Sequence, residues 1–282
     1  MVVERLGVAE FLERAGAFLL AREAEHGLIL GLAARLLPNP RLYGSDPYLA
    51  VVEVAERVVA AALRTPPYGL ILSEIDDARA VDAIAADVHE VFGTLPGVLG
   101  PVDDVRRFVK LWETYAGASG RLAVAERIYQ ADSVIRPSGV PGQARRYRDS
   151  DRELAVRWCT AFVEEALPHG TPERPSAIVD SRLAEAHGGF MLWEDARGEP
   201  VSLAGFGRAT LNGIGVGPVY TPPEVRGRGY ASALVAELTA SLLAGGRRYC
   251  FLFTNLANPT SNSIYQQVGY RPVTEVDQWL FD

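Results

Sequence analysis

"TPPEVRGRGYAS", residues 221–232, places two arginines and two glycines directly before a run that is typical of a helix. Apolar residues recur at every fourth position from Tyr230 to Leu242, and Gly245 and Gly246 end the run, which predicts an amphipathic helix. A helix N-terminus presents unpaired N–H groups, and glycines before it allow a ligand to approach the backbone. The stretch therefore predicts an anion-binding turn. The alternative is a tight turn that carries solvated arginines.

The spacing of this turn excludes two common phosphate-binding loops. It has no lysine of the G-x-x-x-x-G-K-[ST] type and no G-x-G-x-x-G pattern. Arg226, Gly229 and Ala231 instead give R-x-x-G-x-A, which resembles the R/Q-x-x-G-x-G/A signature of the GNAT superfamily of acyl-CoA-dependent N-acyltransferases. The resemblance implies that the loop holds the pyrophosphate of coenzyme A and that the preceding strand runs beside the pantetheine arm. The residues that it assigns to coenzyme binding here are Val219, Tyr220, Thr221, Arg226, Gly227, Arg228, Gly229, Tyr230, Ala231 and Ser232.

A second motif, "NPTSNSIYQQVGY", occupies residues 258–270. Asn258 is a favourable N-cap, Gly269 is placed to end the helix, and Asn258, Asn262 and Tyr265 share one helix face. Taken alone, the pattern fits a capped helix with a packed aromatic residue. Because it follows the first motif and the strand after it, the pattern also resembles the second cofactor motif of the GNAT superfamily. The resemblance implies that both asparagines bind the coenzyme arm and that Tyr265 lies near the sulfur as the catalytic residue.

Acyl transfer from a thioester to an amine requires stabilisation of an oxyanion and a proton for the departing thiolate. We expect N–H groups from Val219 to Thr221 to polarise the carbonyl and Tyr265 to protonate the sulfur, in a ternary complex with acetyl-CoA as cosubstrate and without a metal. The general base stays unassigned. Glu194 and His187 are candidates, although each also fits an exposed residue at the end of an element.

Two other functions remain open at this stage. One is an acyl-CoA-binding module that acts as a sensor or scaffold, and the retention of Tyr265 favours an enzyme over it. The other is a nucleotide-binding protein, which the missing P-loop lysine disfavours. For an enzyme, small amines, aminoglycosides, peptide N-termini and protein lysines are all candidate acceptors. Monomer and homodimer are both compatible with the sequence.

The chain shows the same order of helical and strand patterns twice, which predicts an α/β fold with mixed sheets and a tandem GNAT-like arrangement. Two prolines and two glycines mark residues 136–144 as a linker. The predicted domains are residues 1–135, a degenerate GNAT-like domain, and residues 145–282, a catalytic N-acetyltransferase domain.

The degenerate character of the first half is predicted from the residues after its strand "YGLILS". Glu74, Asp76 and Asp77 stand where coenzyme phosphates would need positive charge, although carboxylates suit a helix N-terminus. We therefore expect this half to bind no coenzyme. Further along, Trp112 and Tyr115 fit a helix packing face better than an aromatic substrate cage.

Composition narrows the class of protein. The 282 residues carry a formal net charge of −7, which disfavours a general nucleic-acid binder. The N-terminal run contains charged residues throughout and has neither a signal-peptide pattern nor a membrane-length apolar span, so we expect a cytoplasmic protein without a membrane partner. Cys159 and Cys250 provide no disulfide framework and no metal-ligand spacing, and we expect both in the core.

Overall fold

The protein is described from a computed structural model, which covers residues 1–166 and 174–282. The strands are β1 (Val3–Arg5), β2 (Tyr48–Val54), β3 (Arg57–Arg64), β4 (Leu70–Leu72), β5 (Gly97–Pro101), β6 (Gly120–Ala131), β7 (Gln143–Arg146), β8 (Gly189–Glu194), β9 (Pro200–Gly207), β10 (Gly213–Tyr220), β11 (Tyr249–Asn255) and β12 (Arg271–Phe281). The helices are α1 (Val8–Ala21), α2 (Gly27–Leu36), α3 (Arg79–Phe92), α4 (Val102–Ala116), α5 (Arg152–Ala166), α6 (Pro175–Ala184), α7 (Tyr230–Ala244) and α8 (Pro259–Gln267).

The chain forms two compact units that do not follow its linear order. The first unit comprises Met1–Ile128 and Thr274–Asp282, and the second comprises Tyr129–Val273. The predicted boundaries differ from those of the two units, because they assign all of residues 145–282 to one domain. The predicted linker, residues 136–144, also includes the start of β7. The reason is long-range strand pairing, since β12 pairs with β5 in antiparallel register from Val276↔Pro101 to Leu280↔Gly97.

In the first unit the strands follow the order β1-β2-β3-β4-β5-β12. Neighbours are antiparallel, except that β4 and β5 run parallel and are connected through α3. A parallel pair needs such a crossover connection. The mixed sheet predicted from the sequence is therefore confirmed in this unit.

Strand β2 shows how this sheet separates two apolar layers. Tyr48, Ala50 and Val52 are buried in one cluster with residues of α3 and α4, whereas Leu49 and Val51 are buried in another with residues of α1 and α2. Side chains alternate across a strand, so a continuous apolar run implies cover on both faces.

Trp112 of α4 is 0% exposed and stacks on Phe108, so the predicted packing role of Trp112 is confirmed. Tyr115 is 40% exposed.

His26, between α1 and α2, is a buried hydrogen-bonding residue of the first unit. Its Nδ1 lies 2.9 Å from the carbonyl oxygen of Leu19, and its Nε2 accepts the N–H of Glu74 at 3.1 Å. An imidazole that donates through one nitrogen and accepts through the other is neutral. Burial accordingly lowers the pKa of His26 to about 4.

This geometry predicts a loss of stability in mild acid. The unfolded chain binds a proton at His26 near its ordinary pKa of 6.5, whereas the folded chain resists protonation down to about 4. The stabilisation is present above pH 6.5 and is lost as the pH falls from 6.5 to 4, which amounts to about 2 kcal/mol between pH 7 and pH 5. Urea unfolding at pH 7 and pH 5 should show that the wild type loses more unfolding free energy than His26→Gln, by about 2 kcal/mol. Equal losses in the two proteins would contradict the assignment.

The second unit repeats the plan of the first. Its strands follow the order β11-β10-β9-β8-β7, and the end of β6, from Tyr129, also belongs to it. The pairs β7–β8, β8–β9 and β9–β10 are antiparallel, whereas β10 and β11 are parallel and are connected through α7. The position of α7 after β10 thus corresponds to that of α3 after β4.

Two apolar layers also enclose the sheet of the second unit. Met191 and Trp193 of β8 are buried with residues of α7, whereas Phe190 and Leu192 are buried with residues of α5. Helix α7 buries Val235 and Ala236 in addition to Leu234 and Leu238, so burial extends beyond the face that the periodicity predicted. Both cysteines are buried and free, as expected.

Candidate active site

The parallel pair of the second unit opens along its length. Strands β10 and β11 are paired only from Gly213 to Gly215, opposite Tyr249 to Phe251. Beyond this point β10 continues to Tyr220 with β9 as its partner, and the register shifts between Val216 and Val219. Backbone groups alternate between the two edges of a strand. In the described chain, the groups of residues 216–220 that point away from β9 therefore have no strand partner and can bind an extended ligand.

The register shift is a bulge that is held from β9 and from α6. A Cβ atom at Gly205 would meet the Gly217 oxygen at 2.9 Å, so β9 approaches the bulge too closely for a side chain. Arg182 of α6 donates from Nη2 to the same oxygen at 3.1 Å. By contrast, a Cβ atom at Gly217 would meet no heavy atom within 4 Å. The bulge is thus fixed on one side and open on the other.

The end of β10 carries the three residues that were assigned to the acyl carbonyl. Val219 and Tyr220 pair with Ala204 and Leu203 of β9. The Ser202 hydroxyl donates to the Tyr220 carbonyl oxygen at 3.1 Å and lies 2.8 Å from the Thr221 hydroxyl. The Ser202 hydroxyl thus holds the end of β10 in place.

The N-terminus of α7 presents a row of amides. Gly229 is the N-cap in the left-handed conformation, with φ of 82°, and no side chain caps the helix. The first intrahelical bond runs from Ala233 N–H to the Gly229 oxygen at 3.0 Å. The N–H groups of Tyr230, Ala231 and Ser232 precede this bond and have no partner within the helix. Together with the helix dipole they favour an anion at this position.

The glycines of the turn are required by its conformation. Gly227 and Gly229 have φ of 76° and 82°, values that are unfavourable for other residues. A Cβ atom at Gly229 would also lie 3.0 Å from Val140 Cγ2, whereas one at Gly227 would meet nothing within 4 Å. The turn is therefore open above Gly227 and lined by Val140 beside Gly229.

The two arginines of the turn have different surroundings. Arg226 donates from Nε to the Thr221 carbonyl oxygen at 2.7 Å and from Nη2 to Glu165 of α5 at 2.7 Å. Its guanidinium carbon also lies 5.6 Å from the centre of the Tyr220 ring. Arg228 is exposed. The N–H groups of Arg197 and Glu199 lower the pKa of Asp195, and the charge of Arg228 adds a smaller effect in the same direction. The side chain of Arg226 is thus committed to β10 and α5, and that of Arg228 is on the surface.

Both asparagines of the second motif have partners within the chain. The predicted N-cap is confirmed, because Asn258 Oδ1 accepts the Ser261 N–H at 3.0 Å. Asn262 donates from Nδ2 to the carbonyl oxygens of Asn255 at 2.9 Å and Asn258 at 2.8 Å. These bonds fix the connection between β11 and α8. The binding of the coenzyme arm by the two side chains stays a prediction.

Tyr265 combines a buried ring with a hydroxyl that has no hydrogen-bond partner among the described residues. The residue is 9% exposed, and its ring lies 6.4 Å from that of Tyr129 and 5.9 Å from that of Tyr270. Burial raises the pKa of Tyr265 to about 12. The phenol therefore keeps its proton at neutral pH and can donate it to a ligand.

The structure separates the two candidate bases. Glu194 is not an exposed carboxylate, as its position at a strand end had suggested: its side chain is 13% exposed and forms an ion pair with Arg145. Arg145 also pairs with Asp151 at 2.6 Å and lowers the pKa of Asp151. Glu194 is thus part of an ion-pair network with Arg145 and Asp151. His187 is exposed in the turn between α6 and β8.

The corresponding turn of the first unit differs in charge and in capping. Helix α3 has Ala78 as its N-cap, and Asp77 accepts the N–H of Arg79 at 3.0 Å. Asp76 pairs with Arg22 at 3.1 Å, and Glu74 accepts the Thr274 hydroxyl at 3.3 Å. Asp77 thus occupies a backbone N–H at the start of α3 that a phosphate would need. The absence of coenzyme binding from this unit stays a prediction.

Two comparisons with known proteins identify the fold of this chain. Residues 197–280 match the family model described as FR47-like protein. A GCN5-related N-acetyltransferase from Sphaerobacter thermophilus superposes with a TM-score of 0.64 at 16% identity, over 99% of this chain and 94% of the other. The chain has the GNAT fold. The predicted resemblance to the GNAT superfamily is confirmed.

Two further solved structures superpose over nearly the whole chain. A tandem GNAT protein from the clavulanic acid biosynthesis pathway superposes with a TM-score of 0.56 at 13% identity, over 98% of this chain and 97% of the other. A Drosophila protein gives a TM-score of 0.66 at 13% identity, over 99% and 98%. No curated protein matches the sequence. At these identities the comparisons establish a tandem GNAT fold and leave the substrate to chemical argument.

Residues 1–166 and 174–282 contain no helix with the length and apolarity needed to cross a membrane. They also contain no group of three or more His, Cys, Asp or Glu side chains arranged to hold a metal ion.

Proposed function

We propose that the protein is an N-acetyltransferase that transfers the acetyl group of acetyl-CoA to a primary amine by direct attack in a ternary complex. The observation that carries this proposal is the combination of three features in the second unit. An unpaired strand edge at residues 216–220 leads to a free helix N-terminus at Gly229, and α8 supplies the Tyr265 hydroxyl. These features suit an extended acyl carrier that has a pyrophosphate at one end and a thioester at the other.

The residues present fit acetyl-CoA. The amides from Gly229 to Ser232 would hold the pyrophosphate, since they combine unpaired donors with a positive dipole end. The unpaired edge of β10 would hold the pantetheine amides by strand-like hydrogen bonds. The open side of Gly217 leaves room for the acyl group beside the backbone of Val219.

The reaction needs one bond to form and one to break. The amine nitrogen attacks the thioester carbonyl carbon, the carbon–sulfur bond breaks, and the Tyr265 phenol gives its proton to the departing thiolate. Backbone N–H groups near Val219 would stabilise the oxyanion, as preorganised donors do in acyl transfer. Bulk water can take the proton that the amine loses, so this scheme needs neither Glu194 nor His187.

A direct test is amine-dependent release of free thiol from acetyl-CoA, with acetylated product identified by mass spectrometry. The panel would include small amines, aminoglycosides, peptides with free N-termini and lysine-containing peptides. We expect thiol and acetylated amine in equal amounts with at least one class. If coenzyme A binds and every class yields no product, the protein is an acyl-CoA-binding module and not an enzyme.

A further inference from the structure

The ring of Tyr129 lies beside the Tyr265 ring, yet Tyr129 precedes both sequence motifs by many residues. It is the first residue of the second unit and lies near the end of β6. The side chain is 0% exposed, and its ring centre lies 6.4 Å from that of Tyr265 with an interplanar angle of 47°. A substitution at Tyr129 would therefore alter the packing around Tyr265.

The Tyr129 hydroxyl connects two turns of α8. It donates to Asn262 Oδ1 at 3.1 Å and accepts from Gln266 Nε2 at 3.0 Å. Asn262 and Gln266 are one turn apart and flank Tyr265 in the sequence. A hydroxyl that bonds both of them fixes the rotation of α8, and with it the direction in which the Tyr265 side chain points.

The bond to Asn262 also extends to the connection before α8. Because Tyr129 occupies Asn262 Oδ1, the amide is oriented with Nδ2 toward the carbonyl oxygens of Asn255 and Asn258. The start of the helix and its middle are thus held by one buried phenol. Groups that orient a reacting residue through such bonds control how well that residue meets its ligand.

We propose that Tyr129 is a positioning residue for Tyr265, which orients the Tyr265 hydroxyl toward the coenzyme sulfur through its hydrogen bonds to Asn262 and Gln266. The inference rests on the proposed function, because it requires coenzyme A to bind with its sulfur near Tyr265. It goes further because it assigns a specific role to β6, a strand that lies outside both cofactor motifs. That role is to orient Tyr265.

Tyr270 supplies a matched control. It is 2% exposed, its ring lies 5.9 Å from that of Tyr265, and its hydroxyl lies 2.8 Å from the Thr239 hydroxyl of α7. Tyr129→Phe and Tyr270→Phe therefore each remove one buried hydroxyl beside Tyr265. They differ in whether that hydroxyl bonds α8.

The test compares the affinities of coenzyme A and desulfo-coenzyme A by calorimetric titration, which needs no acceptor amine. In the wild type, the bond from Tyr265 to sulfur should make coenzyme A bind about fivefold more tightly, the effect of one ordinary hydrogen bond. Tyr265→Phe should reduce this ratio to about one. Tyr129→Phe should reduce it at least by half, whereas Tyr270→Phe should leave it unchanged, with thermal unfolding used to establish that each variant is folded.

Each outcome has a defined meaning. Failure of the wild type to bind coenzyme A would overturn the proposed function and this inference together. Binding with a ratio of about one in the wild type would overturn the contact between Tyr265 and sulfur. A preserved ratio in folded Tyr129→Phe, or equal losses in Tyr129→Phe and Tyr270→Phe, would overturn the positioning role alone.

Discussion

Ser232→Asp is expected to weaken coenzyme A binding by about 100-fold or more. The substitution places a carboxylate in the first turn of α7, beside the amides that would hold the pyrophosphate. Two unit charges about 4 Å apart at an effective dielectric constant near 20 repel by about 4 kcal/mol, and about 2.7 kcal/mol already corresponds to 100-fold in Kd. Calorimetric titration of coenzyme A into the variant would measure the loss.

The same substitution should leave the fold intact, which makes the result interpretable. A carboxylate in the first turn stabilises a helix by about 0.3–1 kcal/mol, so the unfolding temperature should stay the same or rise. Ser232→Asn is the matched control, because it has nearly the shape of the aspartate and no charge. Comparable affinities of the two variants would show that the phosphates lie elsewhere.

Tyr265→Phe is expected to lower kcat by about 100-fold, the size of a typical general-acid contribution, while the Kd for coenzyme A changes by less than about tenfold. The buried ring keeps its packing against Tyr129 and Tyr270, and only the proton donor is removed. Steady-state kinetics with an amine found by thiol release would measure kcat. A variant with wild-type kcat would exclude Tyr265 as the acid.

The pH profile adds a second check on this residue. An acid works only while protonated, and burial raises the pKa of Tyr265 to about 12. Its loss of activity by deprotonation is therefore shifted above pH 10, the ordinary value for tyrosine. In the wild type, kcat should show no decline from this group between pH 7 and pH 10.

Local patterns in the sequence predicted most elements because their residues repeat with the period of the structure. The strand "YLAVVEV" became β2 without change, and the N-cap Asn258 makes the bond that its residue type favours. Helix α6 was missed because one of its buried positions is Arg182, which breaks the apolar period. Strand β7 was missed because it starts within a segment rich in proline and glycine.

Contacts between distant segments could not be read from periodicity. The pairing of β12 with β5 and the bond of Tyr129 to Asn262 join residues that have no signal in common. The same limitation applies to Glu194, whose ion pair with Arg145 depends on β7 lying beside β8. The two cofactor motifs located the candidate site, whereas its supporting residues required the structure.

The most direct test of the account is a crystal structure of the protein with coenzyme A. We expect one molecule per chain, with pyrophosphate oxygens within hydrogen-bonding distance of the amides from Gly229 to Ser232 and the sulfur beside the Tyr265 hydroxyl. Coenzyme bound at the N-terminus of α3, or with its phosphates away from α7, would contradict the account.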